Sequence, residues 1–288
     1  MVMPFTSYFD QMYFTINDLD LYYEVRGEGK PFLMIHGYGL DHHVMSGCME
    51  PILKNRPGYK RIYFDLPGMG KTEPRNWISN SDVMLKVILR FMGEVIPDGN
   101  FLVAGESYGG YLARALIYHM ADRIDGTALI CPLIVPQRED RKTPPHIVLV
   151  RDQSLIDRMT REEAEWFDYI TTIQDRKTYE RFMTDLWPGF QSDRSSFTSW
   201  FQRRGYALMY DVDDLPAPFG KPVLLFAGRQ DISVGYLDHL KIIENFPRGT
   251  FAILDRASHS LQIEQEEIFN LLINEWLDRV EEHRVLAT

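Results

Sequence analysis

At 288 residues, 45% of them hydrophobic and 25% charged, the chain has an ordinary globular composition and room for one large domain carrying an insertion. Its 41 acidic and 31 basic side chains leave a formal charge of −10, which argues against nucleic acid and anionic membrane surfaces as partners, because both are recognised through clustered Lys and Arg. No apolar stretch approaches the roughly 18 residues that a membrane-spanning helix needs.

In chain order, the first twenty residues carry Asp10, Asp18 and Asp20 and no basic segment ahead of an apolar run, so no signal peptide is expected and a cytoplasmic setting is the default. Runs 12–16 and 21–25 are rich in aromatic and β-branched residues and flank the Asn17-Asp18 turn signal, which predicts an opening antiparallel hairpin. Short apolar runs at 32–35, 61–64, 101–104, 128–130, 223–226 and 251–254 then predict parallel strands covered on both faces. The amphipathic stretches 82–95, 111–120, 236–245 and 264–280 read as crossover helices. Cys48, in a segment read as helix, and Cys131, at a buried strand end, show no ligand spacing with histidines and are expected as free thiols in a reducing compartment. The pattern is that of an α/β protein with a mostly parallel eight-stranded sheet and helices on both faces. Segment 135–217 interrupts it. That segment opens with a charged, proline-marked run and continues as helices without intervening strands, which predicts an inserted cap between core segments 1–134 and 218–288.

Chemistry enters at Gly105-Glu106-Ser107-Tyr108-Gly109, a G-x-S-x-G pattern placed between a strand and a helix. The bare pattern arises by chance in roughly one chain of this length in ten, so the strand before it and the helix after it carry the inference. A serine on such a turn sits in a strained backbone conformation with its oxygen lifted above the sheet edge, and flanking glycines are needed because side chains would collide. Glu106, beside the serine, is expected to point away from the site and to act structurally, on the alternation of side-chain direction along a strand.

With these features the chain resembles the α/β-hydrolase fold superfamily, over essentially its whole length. The resemblance implies the chain order nucleophile, acid, histidine. It assigns Ser107 as nucleophile, Asp231 in Gly228-Arg229-Gln230-Asp231 as acid, and His259 in the loop past the last strand as base; His239 and His283 read as solvated surface residues. It further implies an oxyanion hole made by the backbone amides of Tyr108 and Tyr38, the latter in His36-Gly37-Tyr38-Gly39, with His36 bracing that loop. The stretch Asp65-Leu66-Pro67-Gly68-Met69-Gly70-Lys71-Thr72 ends like a phosphate-binding loop, but Asp65 stands where that pattern requires glycine, and a carboxylate there would face the phosphates. It resembles instead the superfamily's turn after the fourth strand.

The expected activity is hydrolysis of a carboxylic ester or lactone of a small to medium-sized molecule through an acyl-enzyme, with no metal or organic cofactor. The same triad serves carbon–carbon bond hydrolases and aminopeptidases or amidases, and a ligand receptor could use the fold without turnover. An aspartate nucleophile, as in haloalkane dehalogenases and epoxide hydrolases, is absent. Insertion at the carboxyl edge of the sheet places the cap over Ser107, with Trp166, Phe167, Trp187 and Trp200 as candidates for the roof of a substrate pocket.

Overall fold

The structure is a computed structural model that describes residues 10–192 and 194–287; the first nine residues, which the leader expectation includes, lie outside it. Strand β1 (Asp10–Ile16) pairs antiparallel with β2 (Leu19–Arg26) across a turn in which Asn17 takes a φ of 54°, a left-handed setting that asparagine tolerates. The chain continues through β3 (Lys30–Ile35), α1 (His43–Leu53), β4 (Tyr59–Phe64), α2 (Ser81–Val95), β5 (Phe101–Glu106), α3 (Tyr108–Met120) and β6 (Ile124–Ile130). Asn80 starts α2 by accepting a hydrogen bond from the Val83 amide.

Between β6 and the next long strand lie α4 (Gln153–Ile156), α5 (Arg161–Ile170), α6 (Arg176–Asp185), α7 (Trp187–Ser192) and α8 (Ser195–Arg204). Three of these helices begin on polar caps: Asp152, Asp175, and Thr160 with Glu163 in a capping box. The expectation of helices alone is corrected here. Two strands of two residues each, β7 (Val150–Arg151) and β8 (Ile173–Gln174), pair in parallel; strands so short leave no periodic signal in sequence.

The chain then forms β9 (Val223–Gly228) and β10 (Gly249–Leu254), which complete an eight-stranded sheet of order β1-β2-β4-β3-β5-β6-β9-β10. All neighbours are parallel except β1 with β2 and β2 with β4. Every residue of β5, β6 and β9 is buried, so both faces of the central sheet are covered. Helix α3 packs on β3, β5 and β6, while the C-terminal helices α9 (Leu261–Glu264) and α10 (Glu266–Ala287) pack against the β9 side, with α10 also reaching α1.

Segment 236–245 departs from the helix expected there. Residues Asp238–Asn245 form a 3₁₀ helix that buries Asp238, His239 and Ile242. His239 is therefore buried instead of solvated, and loss of solvent pulls its imidazole down to about 4. No described helix is long and apolar enough to cross a membrane.

Candidate active site

Ser107 follows the last residue of β5 and precedes the first of α3, with a φ of 52° and ψ of −114°. A β-carbon on Gly105 would collide with the Gly109 carbonyl, and one on Gly109 with the Ile35 carbonyl. Both glycines are thus required by close backbone approach, and the strained serine stands at the carboxyl end of the central strand. Its amide donates to the Ile130 carbonyl at 2.9 Å, while its carbonyl accepts from Leu133 at 2.9 Å, so the turn is tied to the end of β6.

Asp231, fully buried after β9, accepts from the Ser233 and Val234 amides at 2.8 and 3.0 Å through Oδ1, and its Oδ2 lies 2.8 Å from His259 Nδ1. Burial alone would raise this carboxyl, but the His259 imidazole and the two amides outweigh it and hold Asp231 below its ordinary value. The elements presenting the pair are locked together: the Gln230 amide donates to the Ala257 carbonyl at 2.9 Å, and a side chain on Gly228 would strike the Ser258 carbonyl. The arrangement brings Ser107, Asp231 and His259 to one end of the sheet. Ser107 and His259 line a single cavity of about 880 Å³.

Glu106 departs from expectation. Its carboxylate does not turn away: Oε1 lies 3.4 Å from His259 Nε2, and Oε2 occupies the space a Gly37 side chain would fill. The alternation rule fails because the left-handed backbone at Ser107 ends the strand geometry on which it rests. Burial raises the Glu106 carboxyl to about 7, opposed by the His259 imidazole and aided by Asp231. Burial depresses His259 in turn, but Asp231 first and then Glu106 outweigh it and raise the imidazole to about 9.

His36 is buried in the loop after β3, where its Nε2 accepts from the Leu66 amide at 2.8 Å and its Nδ1 lies 2.7 Å from the Gly37 carbonyl. That pattern fits a neutral ring with the proton on Nδ1, and it braces the loop carrying Tyr38. The Tyr38 hydroxyl donates to the Thr198 carbonyl in α8 at 2.7 Å, and its ring packs edge-on against Tyr108 and Tyr206. Tyr108 opens α3, so its amide belongs to the first turn, whose N–H groups lack helical acceptors. Asp65 accepts from the amides of His42 and Lys71, each at 2.8 Å, and so organises the turn that imitates a phosphate loop.

Of the four roof candidates, only Trp166 lines the cavity, stacked on Phe190 at 4.3 Å. Phe167 points the other way, fully buried against Tyr179 and Phe182, because α5 turns about 100° between successive residues. Trp187 packs on Phe182 and Trp200 on Phe197, and neither belongs to the cavity wall. Residues that sequence reasoning missed at the wall include Tyr169, three positions after Trp166 on the same helix face, and Arg138 and Arg141 in the charged run. The helical spacing could have identified Tyr169; nothing local identifies the arginines.

Glu264, also missed, is the buried link between the histidine loop and the insertion. Its Oε2 accepts from the Ser258 amide at 2.6 Å, and its Oε1 from the Thr172 and Ile173 amides at 2.5 and 2.9 Å. Burial raises it to about 7 against these three donors.

Two groups bring potential metal ligands together, Asp41-His42-His43 and Cys131-Asp231-His259. In the first, His42 Nδ1 is engaged by Asp65 at 2.8 Å, its Nε2 lies 3.3 Å from Glu24, and His43 Nδ1 lies 2.9 Å from Asp41. In the second, burial holds the Cys131 thiol well above its ordinary value, and the other two donors bond each other. In the first group the ligand atoms are engaged in hydrogen bonds, and in the second Asp231 and His259 are.

Comparison with known proteins agrees with the architecture. The profile of the family described as alpha/beta hydrolase fold matches residues 30–266. The chain is 31% identical over 106 residues to a pimeloyl-(acyl-carrier protein) methyl ester esterase of Legionella pneumophila (strain Paris), a match covering 37% of this chain and 39% of that protein's length. It is 23% identical over 276 residues to a 2-hydroxymuconate semialdehyde hydrolase of Pseudomonas putida, covering 88% of each. The crystal structure of an alpha/beta superfamily hydrolase from Oenococcus oeni PSU-1 superposes with a TM-score of 0.83 at 29% identity, covering 91% of this chain and 96% of the other. With a strained serine at the strand-to-helix turn, a buried Asp–His pair beside it and a profile match over most of its length, the chain belongs to the alpha/beta hydrolase fold family.

Proposed function

We propose that this protein is a metal-independent serine hydrolase that cleaves a carboxylic ester or lactone of a small to medium-sized molecule. The observation that carries the reading is that His259, held at 2.8 Å by the buried Asp231, lines the same cavity as Ser107. Ser107 Oγ adds to the substrate carbonyl as His259 Nε2 takes its proton, and Asp231 fixes the Nδ1–H tautomer and stabilises the imidazolium. The amides of Tyr38 and Tyr108 receive the oxyanion. His259 then returns the proton to the leaving alcohol, and water, activated by the same ring, releases the acid.

Segment 135–217 acts as the cap, and Trp166 is its contribution to the substrate roof. The unpaired, buried thiols of Cys48 and Cys131 suit a cytoplasmic setting. A second reading, carbon–carbon bond hydrolysis on the same triad, draws support from the Pseudomonas putida relative and its coverage of 88% of both chains.

The test is reaction with a fluorophosphonate probe, followed by turnover of an ester series. Wild-type protein should be labelled at Ser107, and Ser107→Ala should stay folded and lose at least about a thousandfold in kcat on activated esters. A folded alanine variant with near wild-type turnover refutes the nucleophile. Turnover of vinylogous diketones without turnover of esters selects the second reading.

A further inference from the structure

Several of the buried or partly buried arginines among the described residues are matched to carboxylates. Arg114 is bound by both oxygens of Asp213 at 2.8 and 2.9 Å, Arg61 by Glu50, and Arg181 by Asp185 and Glu266. Arg141 lines the cavity with Ser107 and His259, yet its partners are three backbone carbonyls: Val135 from Nε at 2.9 Å, Pro136 from Nη2 at 2.8 Å and Ser233 from Nη1 at 2.9 Å. These bonds fix the guanidinium and leave one N–H on each terminal nitrogen. Among the described residues no carboxylate lies within ion-pair distance of it.

Arg138 adds a second cation to the same wall, its guanidinium over the Tyr169 ring at 5.9 Å and Nη2 at 3.3 Å from the Tyr169 hydroxyl. It too has no carboxylate partner among the described residues. Burial lowers the proton affinity of Arg141, and the Arg138 charge adds to that effect. A partly desolvated cation such as Arg141 is costly without a counter-charge, whereas Arg138, which is exposed, remains screened by solvent. Fixing the geometry of the loop would need only the carbonyl bonds, not two neighbouring positive charges in a cavity wall.

We infer that the substrate carries a carboxylate remote from the scissile ester, and that Arg141, with Arg138 beside it, receives that group. The inference rests on Ser107 as nucleophile and adds the substrate class. Glu106, beside Ser107, is paired with His259 at 3.4 Å, so among the described residues the cations of the cavity wall without a carboxylate partner are those of the insertion, Arg138 and Arg141. Glu162 and Glu165 also border the cavity from the first turns of α5, but they are exposed and Glu165 is paired with Arg161, so solvent screens them. Guanidinium–carboxylate pairing is planar and two-pronged, which suits the pair of N–H groups that Arg141 keeps available.

The experiment compares kcat/KM for aryl half-esters of straight-chain dicarboxylic acids with aryl esters of monocarboxylic acids of equal length. In parallel, acetate esters of hydroxy acids are compared with acetates of the matching alcohols, which tells a carboxylate on the acyl side from one on the alcohol side. Wild-type protein should favour the anionic member of one series by at least about tenfold, with the preference shrinking as ionic strength rises. Arg141→Gln should lose most of that ratio, Arg141→Lys should keep part of it, and Arg138→Gln, which leaves the carbonyl bonds intact, should reduce it severalfold. Equal rates for anionic and neutral members in both series, in wild-type protein that reacts with fluorophosphonate at Ser107, overturn the inference. Failure of that labelling overturns the serine-hydrolase reading instead. The wild-type comparison decides the matter even if the Arg141 variants do not fold.

Discussion

Glu106 makes the site unlike an isolated triad. Asp231 and, 3.4 Å from Nε2, the Glu106 carboxylate favour the His259 imidazolium, so the neutral ring that the proposed mechanism requires is reached only at higher pH. The acid limb of kcat/KM is accordingly expected to rise above the ordinary histidine value of about 6.5, toward 9. Replacing Glu106 by Gln removes the anion, lowers the affinity of the ring for its proton and should move this limb to lower pH by about one unit. A profile that does not move on substitution would mean that Glu106 is neutral throughout, or shielded from the ring. The resemblance to α/β hydrolases pointed to Ser107, Asp231 and His259, and each lies past a strand end at the carboxyl edge of the sheet. The direction of the Glu106 side chain was not legible in the sequence, since it depends on the φ of 52° at the next residue.

Helix α5 shows why composition is a poor guide to a pocket. Trp166 and Phe167 are neighbours in sequence, equal as roof candidates by size, yet one lines the cavity and the other fills the interior of the insertion. Truncating them should separate the two roles. Trp166→Ala is expected to change the ranking of ester sizes by kcat/KM with little loss of melting temperature. Phe167→Ala should cost about 3–5 kcal/mol of stability and leave the ranking intact where the protein remains folded. The same result in both variants would remove the distinction. Helix spacing within α5 was readable, but which stripe faces the sheet end depends on the docking of α6 and α7 onto α1. There Asp185 fills the space beside Gly47, and Arg181 donates to the Gly47 carbonyl at 3.0 Å. Those contacts join residues more than 130 positions apart and leave no local trace.

At the scale of the molecule, the opening hairpin and the short apolar runs made the strands and their mostly parallel arrangement readable, while the strand order rests on pairings between distant residues. What no periodicity announces is how the insertion is fastened to the sheet. Glu264 does this through three amides from two parts of the chain, Ser258 in the histidine loop and Thr172 with Ile173 in the insertion, and the Ser260 amide adds a bond to the Ile170 carbonyl at 3.2 Å. The mechanical consequence is that the insertion cannot swing away as a rigid flap while His259 keeps its place. Lifting Thr172 and Ile173 would strip two donors from the carboxylate that holds Ser258, the residue next to His259, leaving that buried group short of partners. Traffic into the cavity must then pass with this joint shut. Hydrogen exchange offers the check: the Thr172, Ile173 and Ser258 amides should share one protection level, and Glu264→Ala should release all three together, whereas an unaltered Ser258 rate would show that the histidine loop holds itself.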